Sequence, residues 1–258
     1  MEVPPDRPPS RTRLDEADLR AAWEQHAAEW IEWARRPDHD SYSWHRDLFL
    51  ELVPTAGRTT LDLGCGEGRL SRDLARIGHR MTGVDASPTL VDAARQAEPS
   101  IPVEHADAAA LPFPDEAFDC VVAFMSLQDV EDLDGVVAEC ARVLEPGGRL
   151  VTAIVHPLSS AGGFLSRDSD APFVIDGSYL ANSYYADSVA RDGIEMSFVS
   201  VHRPLERYVQ ALAATGFLVE RLREVAVPEE AIAHERTHRW RRIPIFLHLV
   251  ALKPEQGV

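Results

Sequence analysis

The sequence predicts an α/β fold in which helices cover both faces of a parallel sheet. Short apolar segments of strand type alternate with amphipathic segments across residues 59–156, a pattern typical of repeated strand–helix units. A glycine-rich turn follows the first of these strands and leads directly into a helix. The chain has 258 residues, of which 45% are apolar, enough for one large domain with a full core.

Apolar periodicity and turn residues set the expected element boundaries. Amphipathic helices are predicted at residues 15–35 and 44–52, before the first strand. Strands are predicted at residues 59–63, 80–84, 101–104, 118–124, 149–155, 217–225 and 243–252. No long helix separates the last two strands, which favours an antiparallel arrangement for that pair.

The regions outside this alternation differ in composition. Residues 1–13 are rich in Pro and Arg and are interpreted as a disordered tail, ahead of a single domain at 14–258. Residues 14–56 form the N-terminal helical segment of that domain. Residues 157–200, between the fifth and sixth strands, are rich in Gly, Ser, Asp and Tyr and lack clear periodicity. So long an irregular stretch predicts a cap over the site, or an insertion with short elements of its own.

Charge and cysteine content limit the possible partners. Lys and Arg number 26 against 42 Asp and Glu, a net charge of −16 that disfavours nucleic acid, which is bound through its phosphates. No apolar run reaches the ~18 residues of a membrane helix, and the start of the chain does not resemble a signal peptide. Three cysteines without CxxC spacing fit the cytoplasm, and the histidine spacing predicts no metal site. The basic run 238–242 is either a solvated turn or a clamp for an acidic group.

The turn Gly64–Gly68 predicts a ligand site. It places backbone N–H groups and a helix N-terminus at the carboxyl edge of the sheet, where ligands bind in open α/β folds. A dinucleotide site requires G-x-G-x-x-G, but here the third glycine falls one position early and Arg69 stands in its place. Glu67 would also face a diphosphate unfavourably. The acidic loop therefore suits a positively charged ligand without phosphate.

Five segments in register carry a resemblance to a known family. The chain resembles the class I S-adenosylmethionine (SAM)-dependent methyltransferases, and among them the small-molecule, methyltransferase-11-like group. The segments similar to the first motif, the ribose motif, the adenine segment, the fourth strand and the approach to the fifth strand are 62–68, 84–87, 107–113, 118–122 and 142–148. Order and spacing hold from about residue 59 to 156.

The resemblance implies a seven-stranded sheet of order 3-2-1-4-5-7-6 with strand seven antiparallel. It implies SAM as cofactor and S-adenosylhomocysteine (SAH) as product. Asp85 would accept the ribose hydroxyls, and Asp107 and the Ala108 N–H would hold the adenine. Asp62 would hold the loop or the ammonium group, the Ala123 carbonyl would lie near that amine, and Met125 would border the methyl group. The implied cofactor set is Asp62, Gly64, Cys65, Gly66, Gly68, Asp85, Ala86, Asp107, Ala108, Ala123 and Met125.

The sequence indicates the catalytic and substrate-binding residues less clearly than the cofactor-binding residues. Many relatives have His where Gln128 stands, and Gln128 cannot act as a general base. His156, at the end of the fifth strand, is a candidate base for a hydroxyl acceptor or a hydrogen-bonding anchor of the cap, and His45 is a similar candidate. The candidate substrate contacts, which equally well pack the cap, are Tyr42, Tyr179, Tyr184, Tyr185 and His202.

The expected function is methyl transfer from SAM to a small molecule, in specialised metabolism. The methylated atom, whether O, N or C, stays open, as does the oligomeric state. One alternative is an enzyme of the same fold with non-methylating SAM chemistry, and another is a SAM-binding regulatory or partner protein. A nicotinamide dehydrogenase is disfavoured by the glycine spacing.

Overall fold

The computed structural model describes residues 10–37, 40–191, 193–229 and 235–255. The helices are α1 Leu19–Gln25, α2 Ala27–Arg35, α3 Tyr42–Leu50, α4 Arg69–Arg76, α5 Pro88–Ala97, α6 Leu133–Val143, α7 Pro157–Ser160 and α8 Leu205–Ala214. The strands are β1 Ser10–Leu14, β2 Thr60–Leu63, β3 Met81–Asp85, β4 Val103–His105, β5 Phe118–Phe124, β6 Leu144–Val155, β7 Gly162–Phe164, β8 Phe173–Ile175, β9 Ser183–Arg191, β10 Ile194–His202, β11 Leu218–Val225 and β12 Phe246–Leu252. Short 3₁₀ segments lie at Leu127–Asp129 and Glu235–Arg241.

Seven strands form the central sheet in the order β11-β12-β6-β5-β2-β3-β4. The pairs among β2, β3, β4, β5 and β6 are parallel, whereas β12 pairs antiparallel with both β6 and β11. When only these strands are numbered along the chain, the order is 3-2-1-4-5-7-6 with the seventh antiparallel. The predicted fold class and strand order are therefore confirmed.

Both faces of the sheet are covered, as near-continuous apolar strands require. Successive residues of a strand face opposite sides, so Val121 packs in the cluster with α6 and α8, whereas Val122 packs with α3, α4 and α5. Helix α5 begins at Pro88 because Ser87 Oγ accepts a hydrogen bond from the Leu90 N–H and Pro88 occupies the first turn. This packing fixes the strand ends from which the site is built.

The N-terminal region differs from the sequence prediction in two ways. The single helix expected at 15–35 is two helices, α1 and α2, which meet at His26. Residues 10–13 of the expected tail belong to β1, which pairs antiparallel with β9, while residues 1–9 lie outside the described residues. The tail prediction is thus wrong for residues 10–13, because a strand more than 170 positions later satisfies their backbone groups and Asp187 binds Arg11.

The predicted cap, residues 157–200, contains elements of its own. Helix α7 is followed by the β7–β8 hairpin, and β9 and β10 form a three-stranded antiparallel sheet with β1. Within the described part of the chain, no helix has the length and apolar character needed to cross a membrane.

Candidate cofactor and substrate site

A cavity of about 560 Å³ lies at the carboxyl edge of the central sheet. Its floor consists of the loops after β2, β3, β4 and β5, here called the cradle, which lies within residues 62–132. Residues of α1, α2, α3, β1, β9 and β10 line it from the other side. The described residues of 10–52 and 157–202 are called the cover. The volume is within the range of about 300–1,000 Å³ that small-molecule sites occupy.

Two glycines of the cradle are required for different reasons. Gly64 and Gly66 both have left-handed backbones, with φ values of 68° and 57°. A Cβ on Gly64 would lie 2.5 Å from the Ser126 Cβ, because the turn after β5 packs directly against it. A Cβ on Gly66 would lie 3.3 Å from Trp30 Nε1 in the cover. Both line the cavity together with Cys65, whereas Gly68 turns the chain into α4 without lining it.

Asp85 joins the tips of β2 and β3. Its Oδ2 accepts a hydrogen bond from the Gly66 N–H at 2.8 Å, and Oδ1 accepts one from the Ser87 N–H at 2.9 Å. Burial raises the pKa of this carboxyl. Each oxygen retains a further lone pair, and both Asp85 and Ala86 line the cavity. The position fits an acceptor for paired hydroxyls, as predicted for ribose.

Asp62 supplies a second buried carboxyl at the end of β2. Its Oδ2 accepts a hydrogen bond from Ser71 Oγ at 2.6 Å, and the residue is only 1% exposed. Burial raises its pKa to about 7. A cationic ligand in the cavity would favour the ionised carboxylate, so this group fits the charge of SAM better than that of a phosphate ligand.

The expected adenine residues also line the cavity but have a partner that the sequence did not reveal. Asp107 Oδ1 accepts a hydrogen bond from the Ala109 N–H at 2.9 Å, and Oδ2 is paired with Arg20 of α1. Arg20, Asp107 and Ala108 all line the cavity. The cover therefore reaches the predicted adenine end of the site through an ion pair.

The exit of β5 corrects one predicted contact and supports another. Ala123 is fully buried, does not line the cavity, and its carbonyl accepts a hydrogen bond from Thr152 Oγ1 at 3.0 Å. The next residue, Phe124, faces the other side of the strand and lines the cavity instead. Met125 then adopts a left-handed backbone with φ 60°, and its N–H donates to the Ala153 carbonyl at 2.7 Å. A non-glycine residue held this way is typical of functional sites, and Met125 lines the cavity as predicted.

Aromatic side chains line the part of the cavity beyond the cradle. They are Trp23, Trp30, Tyr42, Trp44, Phe124, Phe198 and Phe246. Trp23, Trp30 and Phe198 contact one another edge to face with ring centroids 5.9–6.5 Å apart. Arg69 lies 4.9 Å from the ring centroid of Trp30 and 4.1 Å from that of Tyr42. These contacts join the cover to α4 and form a chamber suited to a flat apolar molecule.

His45 lies on the wall of this chamber. Its ring stacks between Phe246, with centroids 4.0 Å apart, and Phe124, with centroids 4.7 Å apart. Nδ1 is 2.9 Å from Nε2 of His248 in β12. Burial, together with the neighbouring His248 and Arg69, holds the pKa of His45 well below its ordinary value. His45 is thus a neutral imidazole, available for hydrogen bonding at the cavity wall.

The contacts of His156 match the second of its two predicted roles, a hydrogen-bonding anchor of the cap. It does not line the cavity and is only 6% exposed. Nδ1 accepts a hydrogen bond from the Leu158 N–H at 3.0 Å, which caps α7, and Nε2 is 3.0 Å from Glu224 Oε1 in β11. Because both ring nitrogens are occupied outside the cavity, the geometry does not support the predicted role of His156 as a base.

The predicted substrate residues divide into two groups. Tyr42 and Tyr185 line the cavity, whereas Tyr179, Tyr184 and His202 do not. His202 Nε2 is 2.9 Å from the Tyr179 carbonyl and its Nδ1 is 2.7 Å from Ser160 Oγ, so this pair holds the cap together. Tyr184 packs against the apolar cluster around Leu19. For these three residues the structure corrects the prediction in favour of packing.

The basic run also serves packing. Arg239 and Arg242 lie 5.7 Å and 5.8 Å from the ring centroid of Phe164, and Trp240 contacts the same ring edge to face. The run thus holds the β7–β8 hairpin and does not line the cavity, so the clamp interpretation is not supported. No group of three His, Cys, Asp or Glu suited to a metal ion occurs among the described residues.

Several cavity residues were missed from the sequence. Asp129, in the 3₁₀ turn after β5, accepts a hydrogen bond from Ser200 Oγ of β10 at 2.6 Å. Arg11 of β1 pairs with Asp187 of β9 and lies 4.4 Å from the ring centroid of Tyr185. The signal for Asp129 was its place in the β5 exit beside Gln128. No local signal marks Arg11 or Ser200, whose partners are distant in sequence.

The strand order, the glycine loop and the acidic groups at the strand ends together define the class I SAM-dependent methyltransferase fold. Residues 61–152 match the family described as "Methyltransferase domain". A solved S-adenosylmethionine-dependent methyltransferase from Mesorhizobium loti is 27% identical, with a TM-score of 0.68 over 81% of this chain and 97% of that one. The chain thus has the fold of the class I SAM-dependent methyltransferases, and residues 61–152 resemble this family, whose cofactor is SAM.

The curated relatives match only part of the chain. The demethylmenaquinone methyltransferase of Tropheryma whipplei (strain Twist) is 38% identical over 120 residues, which are 44% of this chain and 49% of that protein. The ubiquinone biosynthesis O-methyltransferase of Xylella fastidiosa (strain 9a5c) is 32% identical over 161 residues, 58% of this chain and 63% of that protein. The chain thus spans about half to two thirds of the length of these relatives.

Proposed function

We propose that this protein transfers the methyl group of SAM to a small aromatic molecule. The observation that carries the proposal is the single cavity that joins the cradle to the aromatic chamber. When bound, SAM supplies a methyl group already activated by a positive sulfur. The protein then contributes alignment of the acceptor and exclusion of water, and the cover can do both because it lines the side of the cavity opposite the cradle.

The cofactor fits the cradle residue by residue. Asp85 would hold the ribose hydroxyls, and Asp107 with the Ala108 N–H would hold the adenine. Asp62, whose raised pKa reflects a buried carboxyl, would gain a cationic neighbour. Met125 would border the methyl group, at the junction of cradle and chamber.

The chamber supports an aromatic acceptor. Stacked and edge-to-face contacts with Trp, Tyr and Phe side chains favour flat rings. Relatives are named for demethylmenaquinone and ubiquinone biosynthesis, which agrees with a small-molecule acceptor. His45 would donate or accept a hydrogen bond at the chamber wall. The aromatic lining beside the cradle favours a substrate chamber over the alternative of a partner protein that binds SAM only as a regulatory ligand.

The proposal includes the setting of the reaction. Cys65, Cys120 and Cys140 are all unpaired and buried, which supports a reducing cytoplasm. The net charge of −16 supports a small molecule in preference to nucleic acid as acceptor.

Calorimetry with SAM, SAH and NAD tests the cofactor half of the proposal. We expect SAM and SAH to bind with one site per chain and NAD to give no heat. Transfer of a labelled methyl group to a panel of aromatic compounds, detected by mass spectrometry, tests the rest. Binding of NAD without SAM would contradict the proposal, and SAM binding without transfer to any compound would favour non-methylating chemistry.

A further inference from the structure

A polar cluster lines the cavity where the three-stranded sheet meets the exit of β5. Asp129 lies in the 3₁₀ turn, and its Oδ1 accepts a hydrogen bond from Ser200 Oγ at 2.6 Å. Tyr185 of β9 stands directly opposite Ser200 of β10 in the antiparallel register. Asp129, Tyr185 and Ser200 all line the cavity. Polar groups thus converge at one point of a chamber that is otherwise largely aromatic.

Asp129 is linked to the predicted position of the methyl group. Gln128 Nε2 donates to the Met125 carbonyl at 2.5 Å and to Asp129 Oδ2 at 3.2 Å. The Asp129 N–H donates to the Ser126 carbonyl at 2.9 Å, which closes the turn. The carboxylate is therefore held four residues after Met125, the residue expected to border the methyl. Each carboxylate oxygen retains a lone pair for a further proton.

We propose that Asp129 is the general base of the reaction and that the acceptor is a small phenol. This inference rests on the proposed function. In the step, the phenol oxygen attacks the methyl carbon and forms the O–CH₃ bond, while the C–S bond breaks and its electron pair returns to sulfur. The hydroxyl proton passes to the Asp129 carboxylate, so the products are the methyl ether, SAH and the neutral Asp129 carboxylic acid.

The environment of Asp129 supports this role. Burial raises the pKa of Asp129 to about 8, and the charge of Asp85 raises it further. The hydrogen bonds from Ser200 and Gln128 and the charge of Arg203 act in the opposite direction and lower it. Tyr185 and Tyr208 are the other titratable groups facing it, and burial raises the pKa of both phenols, so they stay neutral. A carboxylate that titrates near neutral pH is an efficient proton acceptor, and a bound sulfonium would favour its ionised form.

His45 is the competing candidate but is less suited to accept the proton. Its pKa is held well below the ordinary value by burial and by His248, so its protonated form is disfavoured. Its Nδ1 is already occupied by His248. Protonation of Asp129 is not disfavoured in this way, because the proton neutralises a buried negative charge.

The test uses Asp129→Asn, with Asp134→Asn as the matched control on the exposed face of α6, where Asp134 pairs with Arg207. Calorimetry should give SAM dissociation constants within about 3-fold of the wild type for both variants. Methyl transfer to 4-methoxyphenol should fall about 100-fold or more in Asp129→Asn only. Transfer to 4-nitrophenol, a stronger acid that needs less help from a base, should fall less than about 10-fold.

A second variant keeps the carboxylate in place. In Ser200→Ala, Asp129 loses a hydrogen bond to its charged form, so the pH midpoint of kcat should rise by about 1 unit. Equal losses for both phenols, or an unchanged midpoint in Ser200→Ala, would show that Asp129 is not the base. SAM binding without methylation of any phenol would overturn the acceptor class and leave the cofactor site intact. Absence of SAM binding in the wild type would instead refute the proposed function itself.

Discussion

The contacts that stabilise the cradle and those that stabilise the cover differ in how far apart their residues lie in the sequence. In the cradle, Asp62 binds Ser71 nine positions away and Asp85 binds Gly66 19 positions away. In the cover, Ser200 reaches Asp129 over 71 positions, Arg20 reaches Asp107 over 87, and Arg11 reaches Asp187 over 176. Asp62 and Asp85 are thus held by contacts that are short in sequence, whereas the chamber depends on contacts between distant parts of the chain.

This difference has a consequence for function. The cradle lines the cavity with charged and backbone groups, while the cover lines it with aromatic rings. In the proposed function, the cradle holds the cofactor and the aromatic rings contact the acceptor. Differences in acceptor between proteins of this fold are therefore expected to lie in the cover.

Gly66→Val should have the largest effect and tests whether the cradle alone governs SAM binding. Gly66 has a left-handed backbone, and a side chain there would meet Trp30 and enter the cavity. We expect no detectable SAM binding by calorimetry. Gly216→Val is the matched control, because Gly216 is also left-handed, with φ 81°, but nothing lies within 4 Å of its added Cβ. The control should lose roughly 2 kcal/mol of stability and bind SAM normally. Equal SAM binding by both variants would contradict the placement.

Asp85→Asn should come next in size. The ribose hydroxyls would lose a charged acceptor, and Asp85 also holds the Gly66 and Ser87 N–H groups. SAM affinity should weaken by roughly 1–3 kcal/mol, about 5- to 150-fold, as measured by calorimetry. Asp115→Asn, which removes an exposed partner of Arg142, should leave the affinity unchanged. Normal affinity in Asp85→Asn would place the cofactor elsewhere in the cavity.

The pH dependence of SAM binding tests the charge of the cradle. Burial raises the pKa of Asp62 to about 7 in the free protein, although the hydrogen bond from Ser71 lowers it, and the charge of Asp85 raises it further. Between pH about 4 and 7, the folded protein therefore keeps a proton on Asp62 that the unfolded chain releases. The contribution of Asp62 to the stability of the folded protein thus falls as pH rises over this range. The affinity for SAM should change in the opposite direction. It should weaken by up to about 10-fold per pH unit as pH falls from 7 to 5.5. Calorimetry across this range should show the trend, and Asp62→Asn should flatten it.

The sequence predicted what local pattern determines. The sheet order, Asp62, Asp85 and Met125 all follow from where a strand ends and a turn begins, and the structure brings them to one cavity. Ala123 does not line the cavity although β5 ends at Phe124 as predicted, because successive residues of a strand face opposite sides and Ala123 packs in the cluster with α6 and α8.

The wrong predictions outside the cradle have physical causes that leave only a weak signal in the sequence. His156 was considered as a base because it ends a strand, but Pro157 opens α7 directly after it and His156 is the capping residue of that helix. Tyr184 and Tyr185 are adjacent in β9 and face opposite sides, so only one of them lines the cavity. Which one depends on the pairing with β1 and β10, and such long-range pairing leaves no local mark.

The smallest predicted effect concerns how the cover is fastened to the cradle. Glu24 of α1 accepts hydrogen bonds from Ser87 Oγ and from the Thr89 side chain and N–H, directly beside the predicted ribose site. Glu24→Gln removes the charge from these contacts, which are partly exposed and therefore individually weak. SAM should dissociate about 2- to 5-fold faster by stopped-flow displacement, while its association rate stays the same.

Glu32→Gln is the control for this last effect. Glu32 lies on α2 and pairs with Arg36 on the exposed side of the same helix, away from the cavity lining. Its loss should leave SAM dissociation unchanged. A faster dissociation in both variants would mean that general loosening of the N-terminal helices controls release. An effect confined to Glu24→Gln would show that a cover fixed by long-range contacts still acts on the cofactor through one specific junction with the cradle.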